Sequence, residues 1–274
     1  MVTRTTEGGL CASPIVSVVG APPGTEALAV QWVQVAGSDM GVMLAAVARP
    51  SGAGPFPTVL LLHGGHGFAQ EYVRLAQDLA YGGLLAMAAC WFKGGGGRGA
   101  RFITPISCPE APPMPNALSP TASKGFASEA VQTVGWLVQA AHTLPGAHPD
   151  RIGLIGHSAG GAAALNYILQ VGNVQAAVLN SSGYPSHLAD LSSRFKAAIL
   201  MLHGTADSPA DGGGGAATDV QMARDFEAVL RRAGKSVESV YYQGGRHNDI
   251  FASPTQYRDE VERMLAFLLR YLRT

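Results

Sequence analysis

The stretch Ile152-Gly-Leu-Ile-Gly-His-Ser-Ala-Gly-Gly-Ala-Ala-Ala-Leu-Asn-Tyr-Ile-Leu169 decides the fold. It opens with an apolar run typical of a buried strand and closes with small residues typical of a helix. Between them Gly156-His-Ser-Ala-Gly160 has the pattern Gly-x-Ser-x-Gly. In so tight a turn the serine takes a strained conformation, and side chains on the flanking glycines would collide with neighbouring backbone. The hydroxyl of Ser158 is then held beside the free N–H groups of a helix N-terminus, which is typical of a nucleophile.

The pattern alone leaves alternatives open. Glycine accounts for 35 of the 274 residues, so a chance match, a plain packing turn or a poor phosphate loop would look similar. A serine nucleophile also needs a base, and the base needs an acid that orients it. The remaining sequence therefore decides between these readings.

The candidate acid is Asp207. It follows the apolar run Ala197–Leu202, in His203-Gly-Thr-Ala-Asp207, where a carboxylate just past a buried strand can accept an imidazole N–H. Asp211 is an alternative acid deeper in a glycine-rich loop, and Asp207 is also compatible with a simple turn or helix cap. His203 is expected to end the strand and pack near the site.

The candidate base is His247. It lies in a glycine-containing loop between a strand predicted over 237–242 and a helix predicted over 254–272. A surface loop histidine would be the plainer interpretation. However, the order serine, acid, histidine is the one that this strand–turn–helix motif requires. We predict a triad of Ser158, Asp207 and His247.

A second loop supplies the expected oxyanion hole. The apolar run Pro57–Leu62 leads into His63-Gly-Gly-His-Gly-Phe68, whose small residues let backbone N–H groups approach a bound carbonyl. We predict Gly65 N–H as the first donor, with His66 N–H as the alternative, and Ala159 N–H as the second. A glycine-rich turn without a ligand is the competing interpretation. His66 is either a wall of the acyl site or a surface residue.

Together these motifs resemble the α/β-hydrolase superfamily, and within it the dienelactone-hydrolase-like and small bacterial carboxylesterase branch. The resemblance covers about residue 28 to the C-terminus and also includes Leu75-Ala-Gln-Asp-Leu79. It implies a serine hydrolase that cleaves carboxylic esters through an acyl-enzyme. Dienelactone hydrolases proper use a cysteine nucleophile and carry an acidic residue where this chain has Gly64. These departures argue against dienelactone as the substrate.

The same machinery supports other functions. A dienelactone or lactone hydrolase, an amidase or a peptidase would use the same triad, and a carbon–carbon hydrolase or a haloperoxidase-like perhydrolase is compatible with the scaffold. A non-catalytic binding protein is the most distant class. The mechanism needs no cofactor, and the expected partner is a small-molecule ester. The sequence leaves the oligomeric state open.

Composition limits the partners. Nineteen Lys and Arg balance nineteen Asp and Glu, so no basic excess points to nucleic acid. No apolar run is long enough to cross a bilayer. The first residues, Met1-Val-Thr-Arg-Thr-Thr-Glu7, lack a continuous hydrophobic segment, which leads us to expect a cytoplasmic protein.

The cysteines and histidines match no metal-site spacing, so we expect no metal. Cys11, Cys90 and Cys108 are an odd number, which favours free thiols in the cytoplasm. A Cys90–Cys108 disulfide is the alternative.

Alternating apolar runs predict a single domain over 1–274, with a mostly parallel, eight-stranded sheet covered by helices on both faces. Residues 1–25 are expected to form an extended arm. Residues 93–123, rich in glycine and proline, are predicted to form a lid-like insertion over the site, with a mobile surface loop as the alternative. The predicted substrate-binding residues in and around these loops are His66, Phe68, Trp91, Phe92, Arg98 and Arg101.

Overall fold

The computed structural model describes residues 13–37, 41–94, 102–115, 124–184 and 193–273. The strands in these ranges are β1 Ile15–Val18, β2 Gln31–Ala36, β3 Val42–Ala48, β4 Phe56–Leu62, β5 Leu85–Ala89, β6 Ala147–His157, β7 Ala176–Asn180, β8 Ala198–Gly204 and β9 Val237–Tyr242. The helices are α1 Gln70–Tyr81, α2 Lys124–Thr143, α3 Ala159–Gln170, α4 Val220–Arg232, α5 Asp249–Ala252 and α6 Pro254–Leu272.

All nine strands form one sheet in the order β1-β2-β3-β5-β4-β6-β7-β8-β9. The pairs from β1 to β3, and β3 with β5, are antiparallel, whereas every pair among β4 to β9 is parallel. This is the mostly parallel arrangement expected of an α/β-hydrolase, and the predicted fold is confirmed.

The number of strands in the described residues differs from the prediction. The sequence predicted eight strands and an extended arm over residues 1–25, yet Ile15–Val18 pairs with β2 as a ninth strand. Ile15 and Val18 are 66% and 69% exposed. Because the strand has no buried face, its sequence lacks the pattern of buried apolar positions that would predict it. It forms because the outer edge of β2 offers unpaired backbone groups. Residues 1–12 of the arm lie outside the described residues.

Helices cover both faces of the sheet. Helices α2, α3 and α4 pack on one face through residues such as Leu137, Leu165 and Phe226. Helices α1 and α6 pack on the other, through Leu79 and Phe267. Because both faces are covered, the central strands are continuous apolar runs without alternation, and β5 and β8 are buried at every position.

This topology brings the predicted site loops to one edge. Strands β4, β6, β8 and β9 are parallel, so their carboxyl ends point the same way. The register pairs Leu62 with Gly156, and Gly204 with Tyr242, so the loops that follow these residues start at the same level. Ligands of open parallel sheets bind at this edge.

Part of the predicted insertion is fastened to the sheet. Cys108 forms a disulfide with Cys90 at the end of β5, with their Cα atoms 6.6 Å apart. Ile106 N–H donates to the Phe68 carbonyl, and Lys93 N–H donates to the Pro112 carbonyl. The expectation of free thiols at Cys90 and Cys108 is therefore wrong, because packing of the insertion brings two cysteines together that are distant from each other in the extended chain. Cys11 lies outside the described residues.

Candidate active site

The turn at Ser158 has the strain that its sequence predicts. Ser158 has φ 54° and ψ −116°, a conformation that non-glycine residues rarely adopt. A Cβ atom on Gly156 would lie 2.4 Å from the Gly160 carbonyl oxygen, and one on Gly160 would lie 2.2 Å from that of Leu62. Both glycines are required by close backbone approach. The strained serine is anchored by its own N–H, which donates to the Asn180 carbonyl at 2.9 Å.

Three predicted side chains meet at this turn. Ser158 Oγ lies 2.9 Å from His247 Nε2, and His247 Nδ1 lies 2.8 Å from Asp207 Oδ2. The carboxylate of Asp207 is fully buried, Ser158 is 9% exposed and the imidazole is 18% exposed. A hydroxyl within hydrogen-bond reach of an imidazole that a buried carboxylate orients is chemically able to act as a nucleophile.

A second histidine also holds the acid. His203 Nε2 lies 3.1 Å from Asp207 Oδ2, and Thr218 Oγ1 donates to Oδ1 at 3.2 Å. Burial alone would raise the pKa of Asp207, but the hydrogen bonds from His203 and His247 outweigh burial, and the pKa lies below its ordinary value. Asp207 is therefore ionised at neutral pH. The sequence placed His203 near the site, but not its contact with the acid.

The glycine-rich loop that follows Asp207 is shaped around the carboxylate. A Cβ atom on Gly214 would lie 1.7 Å from Asp207 Oδ1, and one on Gly213 would lie 2.1 Å from the Ala206 carbonyl oxygen. Gly213 also accepts the His247 N–H at 2.9 Å. The alternative acid, Asp211, instead accepts from Ser208 Oγ at 2.7 Å. The loop thus joins Asp207, and not Asp211, to the histidine.

The predicted oxyanion loop lies opposite the serine. Within the described part of the chain, the N–H groups of Gly65, His66 and Ala159 donate no hydrogen bond. Ala159 is the first residue of α3, so its N–H has no acceptor in the helix. These three N–H groups are the ones that the sequence predicts as oxyanion donors.

Gly64 has no room for a side chain. Its N–H donates to Tyr72 Oη at 2.9 Å. A Cβ atom on Gly64 would lie 2.9 Å from His157 Nδ1 and 3.2 Å from Ser158 Cβ. An acidic residue at this position would displace Ser158, His157 or the loop.

The predicted substrate-binding residues fall into three groups. His66 and Phe68 line a cavity of about 330 Å³ between the oxyanion loop and the insertion, together with Lys93 and the disulfide. The prediction that Trp91 and Phe92 bind substrate is wrong, because the two residues are only 1% and 0% exposed. They lie in the core, where the Trp91 indole donates to the His63 carbonyl at 2.9 Å. They pack against His63 at the start of the predicted oxyanion loop and are not exposed at the surface. Arg98 and Arg101 lie outside the described residues.

Sequence reasoning missed several buried polar residues behind the site. Tyr72 contacts His157 and His66, and Glu260 contacts Asn180, whose backbone carbonyl anchors Ser158. Tyr72 reads in the sequence as an apolar helix position, and Glu260 as one of several polar residues in a long amphipathic helix. The partners that give each its role are far away along the chain, so no local signal marks them.

Glu260 carries a pH-dependent contribution to stability. It is 1% exposed, and burial raises the pKa of its carboxyl to about 8, although hydrogen bonds from Gln256 and Asn180 oppose the rise. Between pH 4.5 and about 8 the folded chain keeps a proton that the unfolded chain releases, so the free energy of unfolding falls as pH rises through this window.

Glu260→Gln should remove this dependence, because the amide cannot ionise. We expect the Tm of the variant, measured relative to the unmodified chain, to rise from pH 5 to about pH 8 by an amount equivalent to roughly 1.4 kcal/mol per pH unit at most, and to level off above about pH 8. Thermal unfolding followed by circular dichroism at each pH measures it. A Tm difference that stays constant with pH would contradict the assignment.

The part of the chain that the structure describes contains neither a membrane span nor a metal cluster. No helix there is long and apolar enough to span a membrane. No group of three or more His, Cys, Asp or Glu in the same ranges is arranged to hold a metal ion.

The amino-acid sequence matches the pattern of one known protein family. The sequence pattern of the dienelactone hydrolase family matches residues 43–269, which is most of the chain. No curated protein matches the sequence.

Comparison with solved structures adds relatives of the same fold. Dienelactone hydrolase from Anabaena variabilis is 19% identical with a TM-score of 0.59, and the match covers 95% of this chain and all of that one. An esterase from Pyrococcus furiosus is 16% identical with a TM-score of 0.61, covering 97% and 99%. Acylaminoacyl peptidase from Pyrococcus horikoshii is 15% identical with a TM-score of 0.65, covering 89% of this chain and 42% of that one. At these identities the similarity concerns the fold.

Proposed function

Because the chain belongs to the dienelactone hydrolase family of hydrolases, we propose that it is a serine hydrolase that cleaves carboxylic esters through an acyl-enzyme. The observation that carries this proposal is the continuous contact from a strained Ser158 through His247 to a buried, ionised Asp207. The proposal also draws on the N–H groups of Gly65 and Ala159, which donate to no acceptor among the described residues and which we propose as donors to an oxyanion.

The proposed reaction proceeds in two steps. Ser158 Oγ attacks the ester carbonyl while His247 Nε2 takes the hydroxyl proton, and Asp207 stabilises the imidazolium. N–H groups of Gly65 and Ala159 bind the oxyanion, and the intermediate collapses when His247 gives its proton to the departing alcohol. Water, deprotonated by His247, then attacks the acyl-enzyme. The proton returns to Ser158 as the acid leaves.

Two features favour simple esters over dienelactones. The nucleophile is a serine, and Gly64 has contacts that exclude the acidic side chain of dienelactone hydrolases proper. Lactone, amide and peptide substrates remain alternatives on the same triad, since a peptidase and an esterase are both among the structural relatives. Ester cleavage is preferred because an alcohol leaves more readily than an amine.

The proposal is tested with a matched pair of substrates and a covalent probe. The chain should hydrolyse p-nitrophenyl acetate much faster than 4-nitroacetanilide, which carries the same acyl group as an amide. A fluorophosphonate should add once, on the peptide that contains Ser158, as read by mass spectrometry. Absence of ester turnover and of labelling would overturn the proposal, and equal turnover of both substrates would favour an amidase.

The insertion, fastened by the Cys90–Cys108 disulfide beside the oxyanion loop, is proposed to form a wall or lid over the substrate. The proposed location is the cytoplasm, although disulfides persist mainly in oxidising compartments, so this bond is the observation against it. The proposed partner is a small-molecule ester, with no nucleic acid or membrane.

A further inference from the structure

Tyr72 is the centre of a buried hydrogen-bond network behind the catalytic groups. It lies on α1 and is 2% exposed. Its hydroxyl lies 2.9 Å from Gly64 N, 2.9 Å from His66 Nε2 and 2.8 Å from His157 Nδ1. His157 continues the network, because its Nε2 lies 3.2 Å from the backbone carbonyl oxygen of His247. One phenol therefore stands between the oxyanion loop and the loop that carries the base.

The chemistry of the partners allows one direction for each bond. The His247 carbonyl can only accept, so His157 Nε2 carries a hydrogen, and a neutral ring then leaves Nδ1 bare. Burial lowers the pKa of His157 well below its ordinary value, which keeps the ring neutral. Tyr72 must donate its single hydrogen to His157 Nδ1. Gly64 N–H and His66 Nε2–H then fill the two acceptor positions of the phenol oxygen.

The states of Tyr72 and His66 agree with this pattern. Burial raises the pKa of Tyr72, so the phenol keeps its hydrogen. Burial, and the neighbouring His247, lower the pKa of His66 to about 4, so this ring is also neutral at pH 7. The His66 ring stacks on Tyr72 with their planes 22° apart. Each hydrogen bonded to or from the Tyr72 hydroxyl therefore has an acceptor.

At one end the network fixes the oxyanion donor. The Gly64 N–H is held by Tyr72, and the Gly64 carbonyl accepts from Gly67 N–H at 3.0 Å and lies 2.9 Å from His63 Nδ1. In a trans peptide, the N–H of Gly65 points opposite to the carbonyl of Gly64. Holding Gly64 on both sides therefore sets the direction of the Gly65 N–H.

At the other end the network holds the base. The His247 carbonyl receives His157 Nε2–H, while the His247 N–H donates to Gly213 at 2.9 Å. The backbone of the base is thus held on both sides, one of them through Tyr72. Preorganised donors and bases accelerate reaction because they need no rearrangement as charge develops.

We propose that Tyr72 is a positioning residue whose hydroxyl, through Gly64 and His157, couples the loop of the oxyanion donor to the loop of the general base. The effect on kcat that we expect rests on the proposed function. The histidine tautomers that we expect rest on the hydrogen-bond network alone. Tyr72 itself touches no reacting atom. Phenylalanine would fill the same space but would leave Gly64 N–H, His66 and His157 unpaired.

The kinetic test is Tyr72→Phe, with Tyr167→Phe as its control. Tyr167 is likewise 2% exposed and its hydroxyl donates to Asn173, away from the triad. For p-nitrophenyl acetate we expect kcat of Tyr72→Phe to fall roughly 10- to 100-fold with KM unchanged, since a misdirected oxyanion donor costs less than an absent one. Tyr167→Phe should keep the kcat of the unmodified chain. The proposal is overturned if Tyr72→Phe keeps the kcat of the unmodified chain, or if the substitution raises KM and leaves kcat the same.

A double-mutant cycle tests the coupling. His157→Leu removes both the acceptor for Tyr72 and the donor to the His247 carbonyl. If Tyr72 acts through His157, adding Tyr72→Phe to His157→Leu should lower kcat by less than Tyr72→Phe does in the unmodified chain. Fully additive losses would overturn that part of the proposal.

A spectroscopic test is independent of turnover and of whether the variants fold. In the unmodified chain with ¹⁵N-labelled histidine, the network requires His157 and His66 to be neutral, each with its hydrogen on Nε2, at pH 7. Long-range proton–nitrogen correlation spectra read both tautomers. A hydrogen on Nδ1 of either ring would overturn the proposed network. If the unmodified chain showed these tautomers but cleaved no ester and took no fluorophosphonate, the proposed function would fail and the network would stand.

Discussion

Replacing Ser158 with alanine is expected to lower kcat for p-nitrophenyl acetate by roughly 10⁶-fold, to the level of background hydrolysis, and to leave the fold intact. The change removes the only atom that attacks the carbonyl in the proposed reaction. The backbone bonds of the turn, from Ser158 N–H to Asn180 and from Gly161 and Ala162 N–H to the Ser158 carbonyl, do not involve the side chain.

The measurement combines ester turnover with thermal unfolding. The Tm of Ser158→Ala should stay within about 5 °C of the unmodified chain, since the change removes one side-chain hydrogen bond, to His247, worth about 1 kcal/mol. Labelling by a fluorophosphonate should vanish together with turnover. A variant that kept more than a tenth of the original kcat would show that another residue is the nucleophile.

Replacing Asp207 with asparagine is expected to lower kcat by roughly 10⁴-fold, because an amide cannot stabilise the imidazolium and favours the wrong tautomer of His247. Asp211→Asn is the matched control, because it makes the same chemical change four residues further along the same loop. Asp211 is bonded to Ser208, whereas His247 Nδ1 is bonded to Asp207, so kcat of this variant should stay within about twofold.

The pair of aspartate variants decides which carboxylate orients the base. Both are measured with p-nitrophenyl acetate at the pH at which the unmodified chain is most active. Because Asp207 is fully buried and also bonded to His203, its replacement is expected to lower the Tm as well, whereas Asp211→Asn is not. If Asp211→Asn lost more activity than Asp207→Asn, the assignment of the acid would be reversed.

Much of the fold could be predicted from local pattern. The helix at 254–272 and the strand at 237–242 lie at the predicted residues, because each has a clear periodicity and definite end signals. Strand β1 could not be predicted, since its side chains are exposed and only the free edge of β2 makes it a strand.

The site shows the same division. The sequence by itself determined that Ser158, Asp207 and His247 each follow a parallel strand, because strand–turn patterns are short-range and parallel strands end at one edge. The sequence favoured Asp207 over Asp211 as the acid, and the structure places Asp207 against the histidine. The tertiary structure alone decided that Cys90 bonds Cys108, that Trp91 and Phe92 are buried, and that Tyr72 joins two loops. These outcomes depend on contacts between residues far apart in the chain, which packing selects and which no local pattern of residues encodes.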